Sequence, residues 1–170
     1  MKILFLDIDG VLNSRQWYIK NKPNIDLESG LMYRHAQELD PKACELVNEL
    51  CTEFSLSIVI SSTWRKLHKI GEIQMMFANR GLHAPVISAT SQLRSGYRGQ
   101  EVDEWLYDHS SAGITHHVIL DDDGDFGPHQ PLVQTNEEYG VRPMDIEKAK
   151  AYVKSYDLAK IKTNHTHDRY

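Results

Sequence analysis

Cysteine is scarce in this chain, with only Cys44 and Cys51 among 170 residues. They fall seven residues apart on a predicted helix, which sets them on one face about two turns apart, too far to bridge. A disulfide scaffold is excluded, and two small buried thiols in a reducing cytosol are expected in place of metal or redox roles. No apolar run approaches the ~20 residues of a membrane span. Nothing resembles a signal peptide, because the first predicted strand is short, lacks a cleavage site and holds two acids. A cytoplasmic setting is therefore expected. Nor is charge of one sign in large excess: the formal net charge of −5 gives no basic field for wrapping nucleic acid, and leaves room only for a local basic patch. Internal repeats, low-complexity tracts and domain-sized linkers are lacking. The length suits one domain over residues 1–158, with a polar tail over 159–170. His165 and His167 in that tail have no third ligand nearby and read as a frayed end.

What is present is concentrated at the ends of apolar runs. In the opening stretch MKILFLDIDGVL, five of the six residues from Ile3 to Ile8 are apolar, which predicts a strand buried on both faces. It gives out in Asp7, Ile8, Asp9 and Gly10. A strand regular to its end would send Asp7 and Asp9 the same way. The crevice beyond the carboxyl end of a buried parallel strand is the usual place for a ligand. Two carboxylates at that rim repel each other unless a cation or a proton relieves them. Gly10 lets the backbone turn where a side chain would obstruct it.

Similar endings recur along the chain. Leu56 to Ile60 reads as a second buried strand and runs into Ser61-Ser62-Thr63-Trp64-Arg65. A hydroxyl at a strand tip, followed by free N–H groups at a helix start, is a fit receptor for phosphate oxygens. Arg65 either adds a guanidinium to the same phosphate or sits in a surface salt bridge. Val118 to Leu120 reads as another buried strand, closing in Asp121-Asp122-Asp123-Gly124. Acids stacked there are expensive without a metal or an arginine. A Ca2+ loop of the D-x-D-x-D-G type is excluded, since the acids are contiguous and no glutamate falls at position twelve.

The remaining segments supply the frame. Asp40-Pro41 is a helix start, with Ala43, Leu46, Val47 and Leu50 following at helical spacing. A helix is expected from about His68 to Arg80, stopped by Gly81, with Met75, Met76 and Phe77 as core filler. Pro85 to Ser88 reads as a short strand, and Gly99 to His109 as a helix with Val102, Trp105 and Leu106 facing inward. Pro131 to Thr135 looks like an edge strand. Pro143 to Tyr156 resembles a last helix, turning Ile146, Ala149 and Val153 to the core. This alternation predicts an α/β fold, an open Rossmann-like parallel sheet with helices on both faces. Residues 13–39 break the pattern, running polar and aromatic around Pro23 and Gly30, and are long for a connection. They read as a small lid. Trp17, Tyr18, Tyr33, Arg34 and His35 either grip a substrate there or pack the lid onto the body.

Asp7-x-Asp9-Gly10-Val11-Leu12 resembles the first motif of the haloacid dehalogenase-like (HAD) phosphohydrolases. The resemblance implies that Asp7 is a nucleophile forming an aspartyl-phosphate. It makes Asp9 the general acid/base, whose backbone carbonyl also binds Mg2+. Ser61 matches the second motif by register, with Ser62 the near alternative, so Gly10, Ser61, Ser62 and Arg65 form the expected phosphate-binding set. Arg98, just before the helix that precedes the last acidic strand, takes the place of the third-motif cation. Arg94 and Lys66 are the alternatives. Asp121 would brace that cation and Asp122 would ligate the metal directly, giving Asp7, Asp9, Asp121 and Asp122 as the expected metal set. An insertion after the first strand would be a flap or minimal cap, too short to close over a large substrate.

Together LFLDIDGVLN, IVISSTWR, the RG before EVDEWL, VILDDD and LVQT look like the small HAD domains found alone or fused in bacterial and phage RNA-repair proteins. That resemblance implies an Mg2+-dependent phosphatase acting on a nucleotide or a polynucleotide end, a 3′-phosphate among the choices. Hydrolysis of a sugar phosphate or another small metabolite is the alternative. A receiver-like signalling module also uses strand-end acids, Mg2+ and an aspartyl-phosphate. Receivers, however, pair adjacent acids after the first strand and place the phosphorylated Asp after a later one, and here that order is reversed. A catalytically dead binding module is disfavoured by the presence of both Asp7 and Asp9. No protein partner is legible.

Overall fold

The computed structural model describes residues 1–21 and 30–155. Pro23 and the tail with His165 and His167 lie outside the described residues.

Strand β1 (Lys2–Leu6) occupies the centre of a sheet and runs parallel to β2 (Leu56–Ile60) on one side and β4 (His116–Asp121) on the other. β3 (Val86–Ala89) pairs with β2, and β5 (Leu132–Gln134) with β4, giving the order β3-β2-β1-β4-β5, parallel throughout. The strand period of two decides what each face packs against. Leu4 and Leu6 join Ile58, Ile60, Val118 and Leu120 in the larger core, with residues of α3 (Pro41–Phe54), α4 (Ile70–Ala78) and α6 (Pro143–Ser155). Ile3 and Phe5 join Val59 and Ile119 in the smaller one, against Val102 and Trp105 of α5 (Arg98–Asp108). Each such buried side chain stabilises the fold by roughly 1.5–3 kcal/mol. The carboxyl ends of β1, β2 and β4 are therefore carried on a rigid base. The expected open parallel α/β sheet, with helices on both faces, is what forms.

Local signals act as the sequence suggests in α3. The Asp40 side chain accepts from Lys42 N at 2.9 Å and Pro41 takes the first helical position. Cys44 and Cys51 are buried and free on its inner face. Burial pushes both thiols up to about 12, so neither is a ready nucleophile. Among the described residues no helix is long and apolar enough to cross a membrane.

Three expectations are corrected. The described part of the 13–39 insertion is not irregular but helical, with α1 (Arg15–Asn21) and α2 (Leu31–Glu38). α2 buries only Ala36, so it carries no apolar stripe for the sequence to reveal. It is fixed to the body because the Ala36 carbonyl accepts from Arg80 Nε at 2.7 Å. Met75 lies half-exposed on the outer side of α4, whereas Met76 and Phe77 are buried as expected. α4 also begins at Ile70, not near His68: the His68 ring is buried close to Trp64, and Glu72 accepts from Lys69 N at 2.7 Å to start the helix.

Candidate active site

β1 ends at Leu6, although Asp7 N still bonds to Leu120 O at 3.0 Å. The chain then turns tightly. The Ile8 carbonyl receives the N–H groups of Val11, Leu12 and Asn13 at 3.2, 2.8 and 3.3 Å. Asp7 and Asp9 therefore part company, which corrects the expectation from a regular strand. Asp7 is 2% exposed and sits among the strand-end acids, while Asp9 is exposed. Gly10 makes the turn with φ +71°, and a Cβ there would lie 2.4 Å from Asp122 Cγ. Thr135 Oγ1 donates to the Gly10 carbonyl at 2.8 Å and holds the turn down.

Arg98 opens α5 beneath this turn. Its Nη1 lies 3.3 Å from Asp7 Oδ2 and 3.2 Å from Asp121 Oδ2, and it also donates to the Ser61 carbonyl. Its Nε is 3.8 Å from Asp123 Oδ2. Asp121 is fully buried, and its second oxygen accepts from Asp123 N at 2.9 Å. Among the described residues, Arg98 is the cation that pairs with Asp7 and Asp121. The alternatives, Arg94 and Lys66, are exposed.

One guanidinium does not satisfy these acids. Burial raises Asp7 above the usual carboxylate range, although Arg98, Ser62 and the Ile8 N–H all pull it down. Burial, then the neighbouring Asp7 charge, raises Asp121 further against the opposing pull of Arg98. Asp122 is raised as well, first by burial. An oxygen from each of Asp7, Asp121 and Asp122 comes within 4.8 Å of the other two. An all-oxygen anionic set with unrelieved repulsion suits a hard divalent cation such as Mg2+. Of the expected metal set, Asp9 stands apart: its carboxylate is turned to Trp64 and Asn13, which leaves its backbone carbonyl as the group it could offer.

The residues after β2 divide into two kinds. Ser61 and Ser62 are both fully buried. Ser61 Oγ has no hydrogen-bond partner among the described residues, a state that suits a group awaiting a ligand oxygen. Ser62 Oγ accepts from Trp64 N at 3.4 Å and caps the short 3₁₀ turn Thr63–Lys66. Of the two expectations for Arg65, the salt bridge is the one that forms, and its partner is a buried acid. Arg65 Nη2 meets Glu101 Oε2 at 2.6 Å and its Nη1 donates to the Ser62 carbonyl at 2.8 Å. Glu101 is 3% exposed and also accepts from Leu93 N at 3.1 Å. The pair ties the 3₁₀ turn to α5, and through Leu93 to the loop before it.

Two residues near Asp9 were not singled out from the sequence. Asn13 Nδ2 donates to Asp9 Oδ1 at 2.8 Å, and Trp64 Nε1 donates to both oxygens at 3.2 and 3.1 Å. Trp64 is buried close to the His35 ring, with centroids 4.8 Å apart, and His35 Nδ1 lies 2.8 Å from His68 Nε2. His35 thus packs the insertion onto the body, while Tyr18 and Tyr33 are exposed. A tryptophan two residues after a strand-end serine pair was the available signal.

A family model described as "HAD domain in Swiss Army Knife RNA repair proteins" matches residues 3–146. No curated protein and no solved structure gives a match.

Proposed function

Since this chain belongs to the HAD domains of Swiss Army Knife RNA repair proteins, we propose that it is an Mg2+-dependent phosphatase working through an aspartyl-phosphate on Asp7. Its substrate on this reading is a nucleotide or a polynucleotide end, with a terminal 3′-phosphate foremost. The observation that carries the reading is Asp7 itself: a buried carboxylate at the tip of the central strand, 3.3 Å from Arg98 and grouped with Asp121 and Asp122.

In the first half of the reaction, an oxygen of Asp7 attacks phosphorus in line while the bond to the leaving oxygen breaks. Arg98, braced by Asp121, offsets charge on the equatorial oxygens. Ser61 Oγ and Ser62 receive the same oxygens, whereas the N–H groups of Gly10, Val11, Leu12 and Asn13 are already bonded within the turn. Asp9 gives its proton to the departing oxygen. It then takes a proton from the water that attacks phosphorus and frees Asp7 and inorganic phosphate. Asp7, Asp122 and the Asp9 carbonyl would hold Mg2+, which when bound neutralises the charge between nucleophile and phosphate. Residues 13–39 act as a minimal cap, leaving room for a polymer end.

A hydrolysis screen with Mg2+ over mononucleotides, sugar phosphates and 3′-phosphorylated oligonucleotides tests the proposal. Preference for the nucleotide or oligonucleotide substrates supports it. Selective hydrolysis of sugar phosphates overturns the substrate assignment, and no hydrolysis of any overturns the activity.

A further inference from the structure

Asp9 is an exposed side chain at the end of a turn, and such a carboxylate would ordinarily sample several rotamers. Here three contacts fix it. Oδ1 accepts from Asn13 Nδ2 at 2.8 Å and from Trp64 Nε1 at 3.2 Å, while Oδ2 accepts only from the same indole, at 3.1 Å. Both donors are themselves held. Gly10 N donates to Asn13 Oδ1 at 3.0 Å, which settles which end of the amide faces Asp9. The Trp64 indole is 4% exposed and meets the His35 ring from α2 and the His68 ring from the loop before α4. Those two rings are in turn joined at 2.8 Å.

An indole N–H and an amide N–H₂ donate and cannot accept. A proton on Asp9 therefore finds no acceptor on either neighbour and is directed outward. Oδ1 is engaged twice and Oδ2 once, so Oδ2 keeps the open lone pair. We infer that Asn13 and Trp64 are positioning residues that lock the Asp9 rotamer and reserve its Oδ2 as the oxygen that carries the transferred proton. The inference rests on the proposed role of Asp9 as general acid. It gives the insertion a task, since α2 supplies the His35 ring that seats Trp64.

The test compares first-turnover release of the leaving group from two substrates with Mg2+ present. A 3′-phosphorylated oligonucleotide expels an alkoxide that needs a proton, whereas 4-nitrophenyl phosphate expels a stable anion that does not. Trp64→Phe and Asn13→Ala are each expected to lower the ratio of the two rates, oligonucleotide over aryl, by roughly tenfold or more, a part of the 10²–10⁴ that a general acid supplies. Asp9→Asn, run alongside, should lower it further. Equal slowing of both substrates in Trp64→Phe and Asn13→Ala, with Asp9→Asn still selective, overturns the positioning role and leaves the general acid standing. An unselective Asp9→Asn removes the general-acid reading and the inference with it. Should Trp64→Phe lose the cooperative unfolding of the parent chain, Asn13→Ala decides in the same two ways, since its half-exposed side chain fills no core.

Discussion

The space that a side chain at Gly10 would need is filled by the carboxylate of Asp122, whose Cγ lies 2.4 Å from the position of the missing Cβ. A glycine on the first strand's turn and an acid on the fourth strand's end are thus mutually fitted across the site. Gly10→Ala must push Asp122 aside and also adopt a left-handed φ that costs about 1–2 kcal/mol. The expected outcome is a stability loss of that order, together with a roughly tenfold or greater rise in the Mg2+ concentration needed for activity. Chemical denaturation and an Mg2+ titration of turnover check the two parts, and an unchanged Mg2+ requirement would detach Asp122 from the metal.

Without metal, Asp7 and Asp121 make the fold pH-sensitive in a definite sense. Both are raised by burial above 3.8, to about 6 for Asp7 and about 8 for Asp121. Each binds its proton more tightly folded than unfolded. Their contribution to stability is therefore full below pH about 4 and is lost as pH rises through the folded values. Thermal unfolding in EDTA should show a Tm that falls between pH about 5 and about 8, and Mg2+ should flatten that fall. A Tm that rises over the same range would contradict the burial argument.

Asp7→Asn separates chemistry from folding. It removes the buried charge while keeping the shape, so Mg2+-dependent hydrolysis should vanish. In EDTA at pH 8 the variant should be at least as stable as the parent, because a neutral amide replaces a carboxylate that resists ionising there. Turnover in this variant comparable to the parent would remove Asp7 from the mechanism.

Glu101 and Arg65, 2.6 Å apart with Glu101 buried, act as a structural clamp on this reading. Glu101→Ala strands the guanidinium and should cost about 3 kcal/mol or more in chemical denaturation. Replacing both residues by apolar ones of similar volume should restore much of that loss. A single variant as stable as the parent would show that the pair contributes little.

Much of this was legible in the sequence because its signals are local. The apolar runs Ile3–Leu6, Ile58–Ile60 and Val118–Leu120 announce central strands, and the acids and serines that end them announce a site. Arg98 was placed by the family resemblance, at the third-motif position before a helix, and it lies between Asp7 and Asp121. What escaped depends on contacts between distant residues. Nothing in the α5 sequence marks Glu101 as buried, because its partner Arg65 lies 36 residues away. Asn13 and Trp64 meet Asp9 only because β1 stops at Leu6 and the turn rotates Asp9 outward, which a period-two reading could not foresee. α2 hid because it rests on one buried alanine and on Arg80, without an apolar stripe.

The central claim is that Asp7 becomes covalently phosphorylated during turnover. Acid quenching of the protein with Mg2+ and a 3′-phosphorylated oligonucleotide, followed by peptide mass mapping, measures this directly. The expected result is a phosphoryl adduct on the peptide that carries Asp7, formed in the parent chain and absent from Asp7→Asn. An active chain that shows no adduct at any quench time, or one phosphorylated at another residue, would contradict the account.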